Sequence, residues 1–270
     1  MNIRKFLGPW PARLSASLLT VALLFGCASP PEDDADAQAT YDEINDPLEP
    51  FNRAIFSFNQ FADGILIKPL ALAFRTFVPP EPRQGVRNFL SNLRSPIVLA
   101  NDLMQGEFDR AVVTVGRFAI NSTAGLGGLI DVAARFGIEG HREDFGQTLA
   151  IWGSGEGPYL MLPILGPSNP RDVTGLVVDG FIDPVPYFVS SDIQLARTLL
   201  RGADERERVL DALDEIERTS LDFYATLRSL YRQRRADEIR NGALAPVVPI
   251  PAISIKEFED PDQGQVSMVY

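Results

Sequence analysis

The sequence predicts a mainly α-helical protein with little or no β structure that lies against a membrane. Apolar residues recur at helical spacing over most of residues 45–240, a segment long enough for a single domain. Stretches rich in glycine and proline separate the helical segments and mark turns. A basic and then apolar leader precedes the one cysteine of the chain.

The leader, residues 1–26, has the order of a secretory signal peptide. Arg4, Lys5 and Arg13 form its basic part, and residues 14–25 are almost all apolar or small. This apolar run is too short for a helix that crosses about 30 Å of hydrocarbon. We therefore expect residues 1–26 to be removed from the mature protein.

The only cysteine, Cys27, follows this leader directly. It has no partner for an internal disulfide, and a free thiol is a liability in an oxidising compartment. Residues 24–27 resemble a bacterial lipobox, although Phe25 stands where a smaller residue is usual. The resemblance implies that Cys27 is acylated, and Ala28 after it points to the outer membrane. The alternative is an ordinary signal peptide with an incidental cysteine.

The segments on either side of the predicted domain are polar. Residues 27–44 are acidic and contain two adjacent prolines, which predicts a flexible tether. Residues 241–270 are rich in proline and then acidic, which predicts a poorly ordered tail. The formal net charge of the chain is −11, so bulk charge favours neither nucleic acid nor anionic lipid.

The first helical segment of the predicted domain is strongly aromatic. Its apolar residues at helical spacing are Phe51, Ile55, Phe58, Ala62 and Ile65, and a core-facing helix is the favoured interpretation. Residues 61–78 are the most lipid-like part of the domain, but three charged residues and Pro69 argue against a lipid-exposed span. We expect this segment to lie in the interface or to be buried in protein, and to end at the prolines from residue 79.

Two further helices follow. Residues 84–104 have a helical period, with a break predicted at Ser95–Pro96. Residues 107–121 have a cleaner helical spacing that outweighs the β-branched run at residues 112–115, although a strand stays possible there.

The second half of the chain contains a proline-flanked apolar run at residues 158–167, which indicates a short edge strand or an extended loop. Asn169 and Pro170 have the pattern of a helix N-cap and first position, with Asp172 in the first turn. The apolar residues of 204–240 recur at helical spacing, which predicts the longest helix of the chain.

Catalytic and metal-binding patterns are absent from the sequence. The one histidine, His141, stands in a polar loop, where we expect it to be solvated. Ser154 lies in a glycine-rich loop, but Trp152 breaks the G-x-S-x-G nucleophile pattern. The glycines at 125–128 lack the third glycine of a dinucleotide site. We predict no enzyme activity, no metal and no cofactor.

Four motifs stand in a fixed order in the chain: DPLEPFNR at 46–53; Asn121 with Gly125, Gly127, Gly128 and Asp131; DFGQTL at 144–149; and Gly157, Pro158, Tyr159, Pro163, Gly166, Pro167, Arg171 and Asp172. In this order and spacing they resemble the MlaA/VacJ family of outer-membrane lipoproteins. The similarity covers residues 42–190 well and residues 204–240 loosely.

The resemblance implies a ring-like arrangement of amphipathic helices lying in the membrane interface, with an amphipathic channel at its centre. It implies a lipoprotein on the periplasmic face of the outer membrane, beside trimeric porins. Phospholipids misplaced in the outer leaflet would pass through the channel to a soluble periplasmic carrier of the MlaC type. This retrograde transport would maintain the lipid asymmetry of the membrane without covalent chemistry.

The resemblance also supplies the candidate site residues. Those for the channel or its gating are Phe51, Asn52, Arg53, Asn121, Gly125, Gly127, Gly128 and Asp131. Movement at Phe51–Asn52 is expected to open or close the channel, and residues 125–128 to provide close packing or a hinge. Two alternatives stay open, namely a non-catalytic scaffold bound to porins through residues 204–240 and a lipid-degrading enzyme.

Overall fold

The structure, a computed structural model, describes residues 46–241. The predicted signal peptide, the predicted acylation site Cys27, the predicted tether and nearly all of the predicted tail lie outside the described residues. Helices in the described part are α1 Glu49–Ala62, α2 Lys68–Phe77, α3 Pro80–Gln105, α4 Phe108–Thr123, α5 Val132–Arg135, α6 Phe145–Ile151, α7 Pro170–Ile182, α8 Ser191–Arg208, α9 Leu210–Thr219 and α10 Phe223–Ile239.

The predicted fold class is confirmed, because the described chain is helical except for one small hairpin. Strands β1 (Leu160–Leu162) and β2 (Gly166–Ser168) pair antiparallel, with Met161 opposite Pro167. The short edge strand expected at residues 158–167 is present as β1, and β2 begins within the same segment to form a hairpin. Among the described helices, none combines the length and the apolar character that a membrane crossing requires.

Helices α1 and α2 join through a π-helical turn, Asp63–Ile67. Pro69 follows as the second residue of α2, and it has no N–H group to donate to the helical ladder. A π-turn changes the register of that ladder, so the missing donor is accommodated where the register shifts. The Asp63 carboxylate at this turn accepts hydrogen bonds from Arg206 of α8, at 2.8 and 2.9 Å.

The aromatic stripe of α1 does not face a core. Phe51 is 48% exposed, Phe58 49% and Ile65 64%, so the core-facing interpretation is wrong. The buried residue of α1 is Asn52, because the face of α1 that packs on β1 is held by polar side chains. Phe51, Phe58 and Ile65 are left to the outside of the molecule, while Ile55 packs against the small hydrophobic cluster around Tyr159.

The helix break predicted at Ser95–Pro96 is also wrong, since α3 continues through Pro96 as one helix. Ile97, Val98 and Asn101 follow directly and are buried. Packing on both sides of the proline holds the axis where the local pattern alone favours a break. By contrast, α4 confirms the helix predicted at residues 107–121.

The single long helix predicted at residues 204–240 is wrong as well. Three helices share this region, α8, α9 and α10. The chain turns out of α9 at Ser220, and the Asp222 carboxylate then accepts a hydrogen bond from the Ala225 N–H at 3.1 Å. A side chain that caps a new helix competes with continuation of the old one. The predicted start of α7 is confirmed, because Asn169 accepts from the Asp172 N–H at 2.8 Å.

Contacts between the elements close into a ring. Helix α1 packs on β1, α10 packs on β2 and α6, and α6 packs on α7. Helix α3 packs on α6, α7 and α8, and α8 packs on α2, which the π-turn joins to α1. Ion pairs such as Arg53–Asp222 and Lys68–Asp214 reinforce this circuit.

Burial in the ring is inverted relative to an ordinary water-soluble domain. The buried hydrophobic cluster is small, with Tyr159, Met161 and Tyr224 at its centre. Buried polar or charged residues outnumber buried hydrophobic ones in the described part of the chain. Large apolar side chains point outward, among them Phe77 at 81% and Phe188 at 85% exposure. An apolar exterior of this extent indicates a surface that meets a membrane or a partner protein.

Candidate functional site

A cavity of about 340 Å³ lies between α3, α4, α8 and the loop before α6. Seven arginines line it: Arg87, Arg94, Arg117, Arg142, Arg197, Arg201 and Arg208. Its lining carboxylates number three: Asp131, Asp204 and Glu205. The cavity is therefore strongly cationic in a chain whose net charge is −11. The negative net charge of the chain, which argued against anionic lipid, therefore does not predict the local charge of this site.

Helix geometry explains how the arginines converge. Arg87 and Arg94 are seven residues apart in α3, which is two helical turns, so they share one face with Ser91. Arg201 and Arg208 have the same spacing in α8. The seven-residue spacing is visible in the sequence. It does not by itself indicate a site, because the sequence does not show which helices face each other.

Most of these arginines are partly or fully neutralised. Arg117 lies 2.7 Å from Asp131, and Arg197 lies 2.8 Å from Asp183. Arg201 pairs with Glu205 at 2.8 Å in the same helix. Arg87 lies 3.6 Å from Asp204 and 3.5 Å from Glu207.

Three arginines remain without a close carboxylate. Arg94 lies no closer than 4.0 Å to Asp179. Within residues 46–241, the exposed Arg142 and Arg208 make no ion pair and no side-chain hydrogen bond, although the charge of Arg208 acts on Asp204 one helical turn earlier. Removal from bulk water lowers the pKa of Arg94 and of Arg142, and neighbouring arginines lower both pKa values further.

His141 also borders the cavity, but its surroundings differ from the prediction. Its side chain is only 16% exposed, and its Nε2 lies 2.9 Å from the Asp102 Oδ1, so the expected solvated histidine is wrong. Thr114 Oγ1 donates to the other carboxylate oxygen of Asp102 at 2.7 Å. The hydroxyl and the carboxylate face the same ring nitrogen, whereas a Ser–His–Asp type triad uses the two opposite nitrogens.

Asp102, His141 and Glu143 bring possible metal ligand atoms within 4.8 Å of one another. Protein donors already occupy these atoms. Glu143 pairs with Arg110 and accepts from Gln105 at 2.9 Å, and Asp102 accepts from Thr114. A cation here would have to displace Arg110, so the geometry favours a hydrogen-bonded network that ties α3 and α4 to the loop before α6.

The candidates on α1 form an anchor outside the cavity. Asn52 is fully buried; its Nδ2 donates to Asp46 at 2.8 Å and to the Tyr159 carbonyl at 3.0 Å. Arg53 lies 4.4 Å over the Tyr224 ring, while the Phe51 side chain is exposed.

The candidates between α4 and α5 form a tight turn beside the cavity. Asn121 donates to Asp131 at 3.0 Å and accepts from the Ala133 N–H at 3.0 Å. A Cβ on Gly125 would stand 2.2 Å from the Ile130 carbonyl, and one on Gly128 would stand 2.5 Å from Asn92. This geometry supports close packing at residues 125–128. Of the eight predicted channel candidates, Asp131 lines the cavity.

The motif-loop candidates support the hairpin and α7. Tyr159 is buried against Tyr224, and Gly166 and Pro167 belong to β2. Asp172 accepts from the Tyr231 hydroxyl at 2.5 Å and pairs with Arg235 at 2.8 Å, while Arg171 lies 3.2 Å from Asp172. The remaining members are the turn residues Gly157, Pro158 and Pro163, and none of the eight lines the arginine cavity.

Comparison with known proteins gives a consistent set of similarities. A family model described as MlaA lipoprotein matches residues 44–238. The "Intermembrane phospholipid transport system lipoprotein MlaA" of Escherichia coli K12 is 39% identical over 236 residues, which cover 85% of this chain and 89% of the relative. The protein of the same name from Haemophilus influenzae is 34% identical over 233 residues, or 84% of this chain and 90% of the relative.

A solved structure is also similar. It was described under the words "Structural basis for maintenance of bacterial outer membrane lipid asymmetry" and matches with a TM-score of 0.65 at 34% identity. The match covers 72% of this chain and 98% of the solved chain.

Proposed function

The chain belongs to the MlaA lipoprotein family, and from this premise we propose that it removes misplaced phospholipids from the outer leaflet of an outer membrane. The lipids pass through the arginine-lined cavity and leave on the periplasmic side. A soluble periplasmic carrier of the MlaC type receives them for retrograde transport. Lipid asymmetry is thereby maintained without covalent chemistry and without a cofactor.

The observation that carries this proposal is the inverted arrangement of polarity. A cationic cavity is lined in part by α3 and α8, two helices of a ring whose large apolar side chains, such as Phe77 and Phe188, face outward. A headgroup that enters hydrocarbon without polar partners meets a large desolvation penalty. The cavity wall offers such partners, and the apolar exterior tolerates contact with acyl chains.

Helices suit this position because their backbone hydrogen bonds are internal. We place the ring in the interface of the periplasmic leaflet, with the amphipathic α1, α2 and α4 facing lipid or protein. Acyl chains on Cys27 add an anchor, since two chains hold a protein stably where a single myristoyl chain binds marginally. A trimeric porin beside the ring covers part of the apolar exterior.

Mutation of the anchor at Asn52 is expected to alter the channel. Helix α1 is bound to the hairpin through this side chain. On the other side of the π-turn, α2 is bound to α8 through Arg75–Glu207 and to α9 through Lys68–Asp214. Release of α1 at Phe51–Asn52 changes the position of one segment of the ring. We propose that this movement alters the passage of lipid.

Site-specific photo-crosslinking in cells tests the proposal. A photoreactive residue at Ser91 or Ser95 faces the cavity, one at Phe77 reports the surrounding lipid, and one at Arg218 serves as an exposed polar control. We expect phospholipid adducts at Ser91 that disappear when Ser95→Trp narrows the cavity. Adducts at Phe77 should be unchanged.

Other outcomes separate the alternatives. Porin adducts without phospholipid adducts at Ser91 and Ser95 would contradict transport and favour the porin-bound scaffold. Release of fatty acid or lysolipid by the purified protein would establish the enzyme. Carrier adducts on the periplasmic side would support delivery to a soluble partner.

A further inference from the structure

Three arginines from three separate elements face one space without a close carboxylate. Arg94 belongs to α3, Arg142 to the loop before α6, and Arg208 ends α8. The closest carboxylate to Arg94 is that of Asp179, at 4.0 Å. Arg117, Arg197 and Arg201 of the same wall have carboxylates at 2.7–2.8 Å, and Arg87 lies 3.5 Å from Glu207. The surplus positive charge is therefore concentrated on these three residues.

This concentration is unfavourable unless an anion enters. Removal from bulk water is the largest influence that lowers the pKa of Arg142, followed by repulsion from Arg208 and then from Arg94. For Arg94 the corresponding influences are removal from water and repulsion from Arg201. Arg94 is half-buried, whereas Arg142 and Arg208 are exposed, so water screens part of the repulsion among the three charges. An anion bound among them lowers the repulsion that remains.

The donors match a tetrahedral oxyanion. A guanidinium group is a rigid planar fork that binds phosphate oxygens bidentately. The Nε of Arg94 is buried and has no hydrogen-bond partner in the described part of the chain. Ser91 and Ser95 line the same wall and add neutral hydroxyl donors. A volume of about 340 Å³ admits a phosphate together with its polar substituent.

We infer that Arg94, Arg142 and Arg208 form a binding site for the phosphate group of a phospholipid headgroup, a phosphate seat within the cavity. The inference rests on the proposed function, because a lipid source is favoured by the apolar exterior of the ring. Leu90 and Val98 also line the cavity beside the arginines and suit the glycerol end of an acyl chain. The phosphate seat binds the headgroup of a lipid that is part of the way through the ring. The lipid then leaves the seat without a chemical step.

Titration of the full-length protein in a phosphate-free detergent tests the seat. The probes are dihexanoylphosphatidylglycerol, dihexanoylglycerol and inorganic phosphate, all at one ionic strength, and binding is measured by calorimetry. We expect the phospholipid to bind and the phosphate-free dihexanoylglycerol to bind at least tenfold more weakly. Arg142→Gln and Arg208→Gln should each weaken phospholipid binding about tenfold, since hydrogen bonds to charged groups have this strength.

A matched control separates local from general charge effects. Arg218→Gln removes the same charge from an exposed site on α9 that is outside the cavity, and it should leave binding within about twofold. Arg142 and Arg208 make no side-chain hydrogen bond within residues 46–241, so both glutamine variants should keep the circular dichroism and Tm of the parent. If one variant fails to fold, the other still reports on the seat.

Two results would overturn the inference. One is equal binding of dihexanoylphosphatidylglycerol and dihexanoylglycerol, or binding that neither glutamine variant weakens. The other is inorganic phosphate that binds as tightly as the phospholipid, which would identify a site for the free anion. Phospholipid adducts at Ser91 in cells, together with no phosphate-dependent binding in the titration, would support transport and contradict the phosphate seat alone. Loss of those adducts in the parent protein would remove transport itself.

Discussion

The side-chain amide nitrogen of Asn52 lies 3.0 Å from the backbone oxygen of Tyr159, a residue 107 positions later in the chain. The amide oxygen of Asn52 in turn accepts from the Met161 N–H at 2.9 Å. One side chain thus donates and accepts as the peptide group of a neighbouring strand would. Asn59, two turns further along α1, repeats the pattern with Leu162 and Ile164, at 2.9 and 2.7 Å.

Replacement of this clamp should destabilise the ring. Asn52→Ala removes three hydrogen bonds from a fully buried position and takes the side-chain donor from the Tyr159 carbonyl and from the Asp46 Oδ1, while Tyr224 and Arg228 still donate to the Asp46 Oδ2. We expect a loss of about 3 kcal/mol in the free energy of unfolding, measured by urea denaturation in detergent. Asn59→Ala is the control, and its loss should be smaller because water reaches that partly exposed site. Equal losses would contradict the clamp.

The same variant should change lipid distribution in cells. Asn52→Ala frees α1 from the hairpin, so we expect an altered amount of phospholipid in the outer leaflet, measured by outer-leaflet acylation or by selective extraction. Asn59→Ala should leave this amount closer to that of the parent. An unchanged amount in Asn52→Ala would show that α1 does not govern passage.

The turn at residues 127–128 offers a matched glycine pair. Gly128 has a φ of +100° and the Asn92 side chain stands 2.5 Å from where its Cβ would be, whereas Gly127 has a φ of +72° and open space. Gly128→Ala should cost about 2–4 kcal/mol of unfolding free energy, because strain and overlap add. Gly127→Ala should cost about 1 kcal/mol, from backbone strain alone. Thermal denaturation of both variants checks the difference, and similar values would argue against close packing at this turn.

The parts of the fold that depend on neighbouring residues were predictable from sequence. Asn169 caps α7 as the pattern predicts, because a cap needs only the next three residues. The break between α9 and α10 was not predicted, because the apolar spacing of residues 204–240 predicts one continuous helix, although Asp222 caps α10 through the Ala225 N–H. Continuity of α3 through Pro96 was not predictable, since it depends on the packing of the residues that follow the proline, such as Ile97 and Val98, against other elements.

The cavity depends on long-range geometry. Arg94, Arg142 and Arg208 are far apart in sequence and meet only because α3, α8 and the loop before α6 converge. Their regular spacing within each helix resembles that of any solvated face. The family motifs, by contrast, mark residues such as Asn52 and Asp172 whose contacts position the ring. Sequence reasoning therefore found the supports of the site better than its lining.

An ion-pair network on α10 predicts a pH-dependent effect. Arg235 binds the Asp144 carboxylate at 2.7 and 2.8 Å and also pairs with Asp172. Burial alone would raise the pKa of Asp144, but the Arg235 guanidinium and the Gln147 N–H hold that pKa below its usual value. The pair therefore stabilises the fold above a pH of about 4, and this contribution is lost as pH falls through the folded-state pKa.

Arg235→Gln should accordingly cost about 3–5 kcal/mol of unfolding free energy at neutral pH. The difference from the parent should shrink as acid protonates Asp144, because a neutral carboxyl group no longer needs the arginine. Chemical denaturation between pH 3 and pH 7 measures both effects, with Arg218→Gln as an exposed control. A difference that stays constant across this range would show that Asp144 does not titrate with the pair.

The apolar exterior predicts how the protein is held at the membrane. Phe61 is 65% exposed and Phe77 81% exposed on the segment from α1 to α2. Burial of each aromatic ring in lipid contributes about 1.5–3 kcal/mol, so the two together contribute a partition factor on the order of a hundred or more.

A Cys27→Ser variant with a cleavable soluble signal peptide should therefore stay partly in the membrane fraction. Adding Phe61→Ser and Phe77→Ser should release it, whereas adding Gln60→Ser and Glu217→Ser at exposed polar positions should not. If Cys27→Ser alone leaves the membrane completely, the acyl chains hold the protein and the apolar exterior does not.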